Sequence, residues 1–127
     1  MTIDQLIQIA SKETLEATHI EAAASDLRLS VNDVCDAFAK RVAQGYLDGE
    51  YSYTIGDTAM NSLFAFAYPV TRTGLPNLAR QVYEAFDQGE YHHLGEAEEL
   101  QGEVRTRSLL ARVPHLRCRT AERQDES

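Results

Sequence analysis

Two segments of this chain end in the same combination of glycine, carboxylate and tyrosine side chains. The first reads AQGYLDGEYSY and ends at Tyr53, and the second reads YEAFDQGEYHH and ends at His93. Tyrosine offers a large, rigid contact area, and carboxylates pair with basic groups on a partner. These residue types therefore favour recognition of a basic protein. The predicted partner-binding residues are Asp48, Glu50, Tyr51, Tyr53, Asp87, Glu90, Tyr91 and His92.

Metal binding and catalysis have weaker support in the same residues. His92 and His93 are adjacent, so their side chains point in different directions, and strong metal-binding spacings such as His-x-x-x-His do not occur. The two cysteines, Cys35 and Cys118, are too far apart in the sequence to indicate a zinc site or a disulfide framework. No nucleophile elbow or phosphate-binding loop is present. The sequence predicts no enzyme activity and no cofactor, and metal binding by the two histidines stays a minor alternative.

The residues above are predicted to lie at the ends of helices. The clearest helix covers 31–47, where apolar residues recur every three or four positions and Ser30 can cap the first turn. Similar patterns predict further helices after Thr2, over about 19–28, from Thr54 or Asp57 to Pro69, from Pro76 to Gly89, and over about 97–112. In the last of these helices the residues predicted to face inward are Leu100, Val104 and Ala111. The sequence thus predicts an all-α fold, a compact bundle of about five helices with short connections, and a brief extended segment near 51–54.

Length and charge define the organisation of the chain. A chain of 127 residues fits one domain, predicted over 1–112 and followed by a flexible arginine-rich tail over 113–127. Residues 1–100 contain 16 acidic and 6 basic residues, a net charge of −10, whereas residues 101–127 contain 4 acidic residues and 6 arginines. We call residues 1–100 the body, and its negative charge repels phosphate and attracts basic partners.

The sequence contains no signal for export or for a membrane. No apolar run approaches the roughly 20 residues that span a bilayer. The first residues, MTIDQLIQIASKE, lack the early basic charge of a secretory signal. A cytoplasmic protein without a membrane partner is therefore expected.

A helix-turn-helix DNA-binding regulator is the alternative. The run AAASDLRLSVNDVCDAF predicts a short helix, a turn and a longer helix, with helices at about 19–28 and 31–47. Arg28 stands where the turn of this motif usually has glycine. The second helix would present to DNA the side chains of Asn32, Asp33 and Asp36. Because two carboxylates there would face phosphates, binding to nucleic acid is disfavoured.

A family resemblance covers the middle of the chain. The pattern consists of DGE after one helix, then DTAMNSLF, then LPNLARQVYEAFDQGEYHH. Over about Tyr46–His93 this pattern resembles the small acidic immunity proteins of bacterial contact-dependent and polymorphic toxin systems. The resemblance implies a protein without chemistry of its own that neutralises a cognate toxin, commonly a basic nuclease, by covering it with an acidic, aromatic surface.

Overall fold

The described residues form six α-helices and contain no strand. The computed structural model describes residues 1–71, 75–90 and 96–113, with the side chains of all of these except 68–71, 90 and 96–102. The all-α prediction is confirmed, with six helices where about five were expected. The helices are α1 (Ile3–Lys12), α2 (Ala17–Leu27), α3 (Val31–Leu47), α4 (Tyr53–Thr71), α5 (Asn77–Glu90) and α6 (Glu96–Leu110).

Side-chain caps set the start of α1 and α3. The Thr2 hydroxyl accepts a hydrogen bond from the Gln5 N–H at 3.1 Å, and the Gln5 side chain accepts one from the Thr2 N–H at 2.8 Å. These two bonds form a capping box, which satisfies N–H groups that the helix leaves unpaired. The Ser30 hydroxyl accepts from the Asp33 N–H at 3.1 Å, and α3 has the predicted bounds 31–47.

Two helices begin earlier than predicted. The Glu16 N–H donates to His19 Nδ1 at 3.1 Å, and α2 starts directly after Glu16. The Ser52 hydroxyl accepts from the Ile55 N–H at 3.2 Å, and α4 starts directly after Ser52. The predicted extended segment near 51–54 is therefore wrong, because a serine cap outweighs a two-tyrosine alternation that is too short to form a strand.

The helix α4 lies against three others, namely α1, α3 and α5. This position agrees with a sequence that is apolar almost all round. The prediction that Pro69 ends the helix is wrong, since α4 continues to Thr71. A proline removes one backbone donor but does not stop the following residues from adopting helical dihedral angles. The described part of the chain contains no helix with the length and apolar character needed to cross a membrane.

The last helix, α6, packs on α5 through a different face from the one predicted. Val104 and Ala111 were expected to point inward, but Val104 is 66% exposed and Ala111 is also exposed. Instead Thr106 and Leu110 are buried, and the Thr106 hydroxyl donates to the Ala85 carbonyl at 2.9 Å. The reason is that α6 has no continuous apolar stripe, so a buried threonine replaces an apolar contact. Leu100, the third predicted residue, lies outside the described side chains.

The first residue of the predicted tail packs on the folded part of the chain. Val113, which the sequence assigns to the tail, is buried at 5% exposure. Residues 114–127 lie outside the described ranges.

Candidate protein-binding site

Arg41 holds two carboxylates from different parts of the chain beside a tyrosine ring. Its Nε donates to Asp4 Oδ1 at 2.9 Å, and its Nη2 donates to Glu50 Oε2 at 2.7 Å. The guanidinium carbon lies 5.2 Å from the centre of the Tyr51 ring, and the Tyr51 hydroxyl donates to Asp4 Oδ1 at 3.4 Å. We call these four residues the Arg41 cluster.

The end of α3 explains why Glu50 and Tyr51 reach this position. Gly49 has a φ of +84°, a left-handed conformation that glycine adopts without steric cost. The Glu50 N–H donates to the Gly45 carbonyl at 2.8 Å, which turns the chain back along the helix. The Tyr51 ring then covers Gly45, where an added Cβ would lie 2.4 Å from the ring. Two glycines therefore position the cluster, one through its dihedral angle and one through its missing side chain.

The charges of the Arg41 cluster remain open to solvent. The side chains of Asp4 and Glu50 are 62% and 52% exposed, whereas that of Arg41 is 32% exposed. The hydrogen bond to Glu50, together with that to Asp4, raises the pKa of the Arg41 guanidinium above its ordinary value. Partial burial raises the pKa of the Tyr51 hydroxyl. At neutral pH the cluster therefore combines one cation, two anions and a neutral phenol.

Three aromatic rings join the ends of α3 and α5 to the start of α4. The Tyr46, Tyr53 and Phe86 rings lie with their centres 5.4 to 6.0 Å apart, and the Tyr53 hydroxyl donates to the Phe86 carbonyl at 2.6 Å. Tyr46 and Phe86 are each only 1% exposed. These rings therefore belong to the core, and their contact brings Tyr53 close to Asp87, the residue that follows Phe86.

A second arginine connects α6 to the same end of α3. The Tyr46 hydroxyl donates to Glu103 Oε1 at 3.0 Å. The Arg107 guanidinium lies 4.5 Å from the centre of the Tyr46 ring and donates to the Tyr46 carbonyl at 3.4 Å. Burial, followed by the hydrogen bond to Glu103, raises the pKa of Tyr46 above its ordinary value. Tyr46 thus stays protonated and fixes α6 to α3.

The structure separates the predicted binding residues into two groups. Glu50 and Tyr51 enter the Arg41 cluster, and Asp48 lies near them, where it accepts from Gln44 Nε2 at 3.1 Å. Tyr53 and Asp87 are both partly buried, and Tyr53 packs on the Tyr46 and Phe86 rings instead of entering the Arg41 cluster. The Glu90 side chain, Tyr91 and His92 lie outside the described residues, as does His93. The structure thus relates the two tyrosine-bearing segments through Tyr53 and Phe86.

Sequence reasoning missed two members of the cluster. The sequence pattern puts Arg41 on the polar face of α3, and Asp4 enters the sequence argument only as an acidic residue of the first segment, which lacks an early basic charge. Arg41 precedes Glu50 by two and a half turns of helix. A chain that reverses direction after Gly49 therefore brings Glu50 back beside Arg41, so the spacing and the glycine together indicate this contact in the sequence. No local signal marks Asp4, because its position depends on how α1 packs on α3.

The part of the chain that the structure describes contains no group of three or more His, Cys, Asp or Glu side chains placed to hold a metal ion. Comparison with protein-family models, with curated proteins and with solved structures finds no match to this chain.

Proposed function

We propose that this chain is a non-catalytic protein-binding module, an immunity-type protein that neutralises a cognate bacterial toxin by presenting an acidic, aromatic surface to it. The observation that carries the proposal is the Arg41 cluster. Arg41 fixes the carboxylates of Asp4 and Glu50 next to Tyr51, yet both carboxylates remain more than half exposed.

Ordering these side chains before binding favours affinity. A partner that immobilises a free side chain loses about 0.5–1.5 kcal/mol of binding free energy for each one. In the Arg41 cluster the hydrogen bonds to Arg41 already restrict both carboxylates, and Gly45 and Arg41 support the Tyr51 ring. A basic partner therefore meets a largely prearranged surface and loses less entropy on binding.

The charge of the body supports the same proposal. The net charge of −10 over residues 1–100 produces a negative potential that accelerates encounter with a basic protein. Exposed charges at the edge of an interface act mainly on the association rate and on its dependence on salt. The Arg41 cluster supplies such charges beside the Tyr51 ring, and interfaces are enriched in tyrosine and arginine and have a polar rim.

The test begins with capture of partners from the native host on the immobilised chain. The captured protein is then purified, and its association rate is measured against the double variant Asp4→Asn/Glu50→Gln. We expect the rate to fall by about tenfold, because two charges that steer the encounter are lost. A matched control is Glu21→Gln/Asp33→Asn, which removes the same charge from exposed positions on α2 and α3.

Two outcomes of this experiment would contradict the proposed function. The proposal is wrong if the captured protein is not basic, or if both double variants slow association equally. Circular dichroism of both variants establishes that each remains folded, so a loss of rate can be assigned to the surface.

The alternative function, a DNA-binding regulator, is favoured by one observation. Arg28 adopts a left-handed conformation (φ 56°, ψ 45°) between α2 and α3, where the helix-turn-helix motif usually has glycine. Against this, Asp36 on the second helix is bonded to α5 and exposed Asp33 would face phosphates. Retention of the chain on duplex DNA at physiological salt would favour the regulator over the toxin-binding protein.

A further inference from the structure

A groove between α5 and α6 has the opposite charge to the body. It has a volume of about 310 Å³, within the lower range of small-molecule sites. Arg105 lines it from α6, Arg112 lines it from the turn after α6, and Glu84 is the carboxylate that lines it from α5. The groove is thus a local cationic site in a chain whose net charge is −8.

Arg105 lies on α6, and Arg112 lies in the turn that follows Leu110, where its N–H donates to the Leu109 carbonyl at 3.1 Å. The two residues are seven positions apart, which corresponds to about 10 Å along the helix and the tighter turn that continues it. Neither guanidinium makes a hydrogen bond or an ion pair with any residue that the structure describes, and both side chains are exposed. Among the described residues, the five N–H donors of each guanidinium are therefore left for a ligand.

Apolar side chains line part of the space between the arginines, opposite the Glu84 carboxylate. Leu109 lies between them on α6, and the buried residues Ala85 and Val113 also line the groove. A carbon chain placed over these side chains would leave water, whereas a charge placed there would lose its solvation.

The glutamines of α5 complete the two ends. Five residues connect α5 to α6, so the helices run in opposite directions, and Thr106 is bonded to Ala85. This register puts Gln88 towards the Arg105 end and Gln81 towards the Arg112 end of the groove. Each end therefore has one guanidinium and one amide, both able to donate hydrogen bonds to an acidic group.

We propose that the groove between α5 and α6 binds a small organic anion with two acidic groups joined by an apolar segment, of the class of linear dicarboxylates. Each carboxylate pairs with one arginine, and the carbon chain covers Leu109 and Ala85. Glu84 excludes a third anionic group from the middle of the ligand through repulsion. This site is separate from the Arg41 cluster and does not depend on the proposed toxin-binding function.

The test is isothermal titration calorimetry of the full chain with suberate, with octanoate as the one-carboxylate probe and 1,8-octanediol as the neutral probe. We expect saturable binding of suberate at about millimolar concentration or below, weaker binding of octanoate and none of the diol. Arg105→Gln and Arg112→Gln should each weaken suberate binding by about tenfold, since each removes a charge-assisted pair. The control Arg80→Gln removes an exposed arginine of α5 outside the groove and should leave the affinity unchanged.

Three results would overturn this inference. One is the absence of saturable suberate binding up to about 20 mM, where a useful site would be filled. Another is equal affinity for suberate and octanoate, because the second arginine would then have no role. The last is an equal loss of affinity in Arg80→Gln and in the two groove variants, which would indicate a general effect of charge.

Discussion

The Asp36 carboxylate, on α3, accepts a hydrogen bond from the backbone N–H of Ala79 at 3.0 Å. Ala79 lies in the first turn of α5, which follows Pro76, so a side chain of one helix caps the start of another. This contact satisfies an N–H group that the helix cannot pair and puts a negative charge at its positive end. Asp36 therefore has a structural role in joining α3 to α5.

Replacing Asp36 with alanine should destabilise the protein by about 1 kcal/mol, the usual cost of losing a helix cap. The melting temperature should fall by about 3–6 °C for a domain of this size. Glu21→Ala is the control, because the Glu21 side chain is exposed and lies in α2 beyond its first turn, where no helix end depends on it. Equal thermal shifts in the two variants, measured by circular dichroism, would show that Asp36 is not a cap.

The contact between Gly45 and Tyr51 predicts that Gly45→Ala destabilises the wild-type protein but stabilises the Tyr51→Ala variant. Gly45→Ala adds a Cβ that would lie 2.4 Å from the Tyr51 ring, so the ring must move and the Arg41 cluster must rearrange. In the Tyr51→Ala background the ring is absent, and the same substitution should stabilise α3 by about 1 kcal/mol through helix propensity. Urea unfolding of the four proteins measures the coupling. Stabilisation by Gly45→Ala in both backgrounds would contradict the proposed packing.

The two left-handed residues at helix ends should respond oppositely to substitution. Gly49→Ala places a Cβ at φ +84° and should cost about 1–2 kcal/mol. Arg28→Gly removes a Cβ at φ 56° and should stabilise by up to about 1 kcal/mol, less the entropy that glycine adds to the unfolded chain. Unfolding free energies from urea titration give both values. Stabilisation by Gly49→Ala would show that the α3 end does not need this conformation.

The thiol of Cys35 predicts an alkaline loss of stability. Burial, and then the neighbouring Asp36 carboxylate, raises the pKa of Cys35 from 9.0 to about 11. The unfolded thiol ionises at the lower pH, so its contribution to stability is complete below pH 9 and is lost as the pH rises towards 11.

Cys35→Ala tests this dependence. The variant should be less stable than the wild type at about pH 8, because it leaves a small cavity in the core. The difference in unfolding free energy should then shrink by about 1 kcal/mol on going to about pH 10, since only the wild type has a thiol that ionises on unfolding. Urea unfolding at both pH values measures this difference. If the difference is the same at both, ionisation of the Cys35 thiol does not affect the stability of the protein between them.

Local signals explain which parts of the fold were predictable. The helix α3 has a serine cap, an apolar stripe and a terminal glycine, and its predicted bounds were right because all three signals agree. The buried face of α6 was not predictable, since Val104 looks like a core residue and Thr106 does not. The choice between them depends on the carbonyl of Ala85, which lies on a different helix.

The candidate site also contains some residues that the sequence groups together and others that it does not. Glu50 and Tyr51 could be grouped from the sequence because they follow one helix end. Their relation to Asp4 could not, since it requires the packing of α1 on α3. Tyr46 follows the apolar spacing of α3 and is buried, and its hydroxyl can leave water because it finds a partner in Glu103, which the sequence does not indicate.

The attachment of α6 has a consequence for dynamics. This helix has a weak apolar face, and bonds from Glu103, Thr106 and Arg107 hold it to the rest of the protein. Segments with few apolar contacts open first in native-state hydrogen exchange. The amides of α6 should therefore exchange ahead of those of α3, and each opening event briefly uncovers the Tyr46 hydroxyl to water.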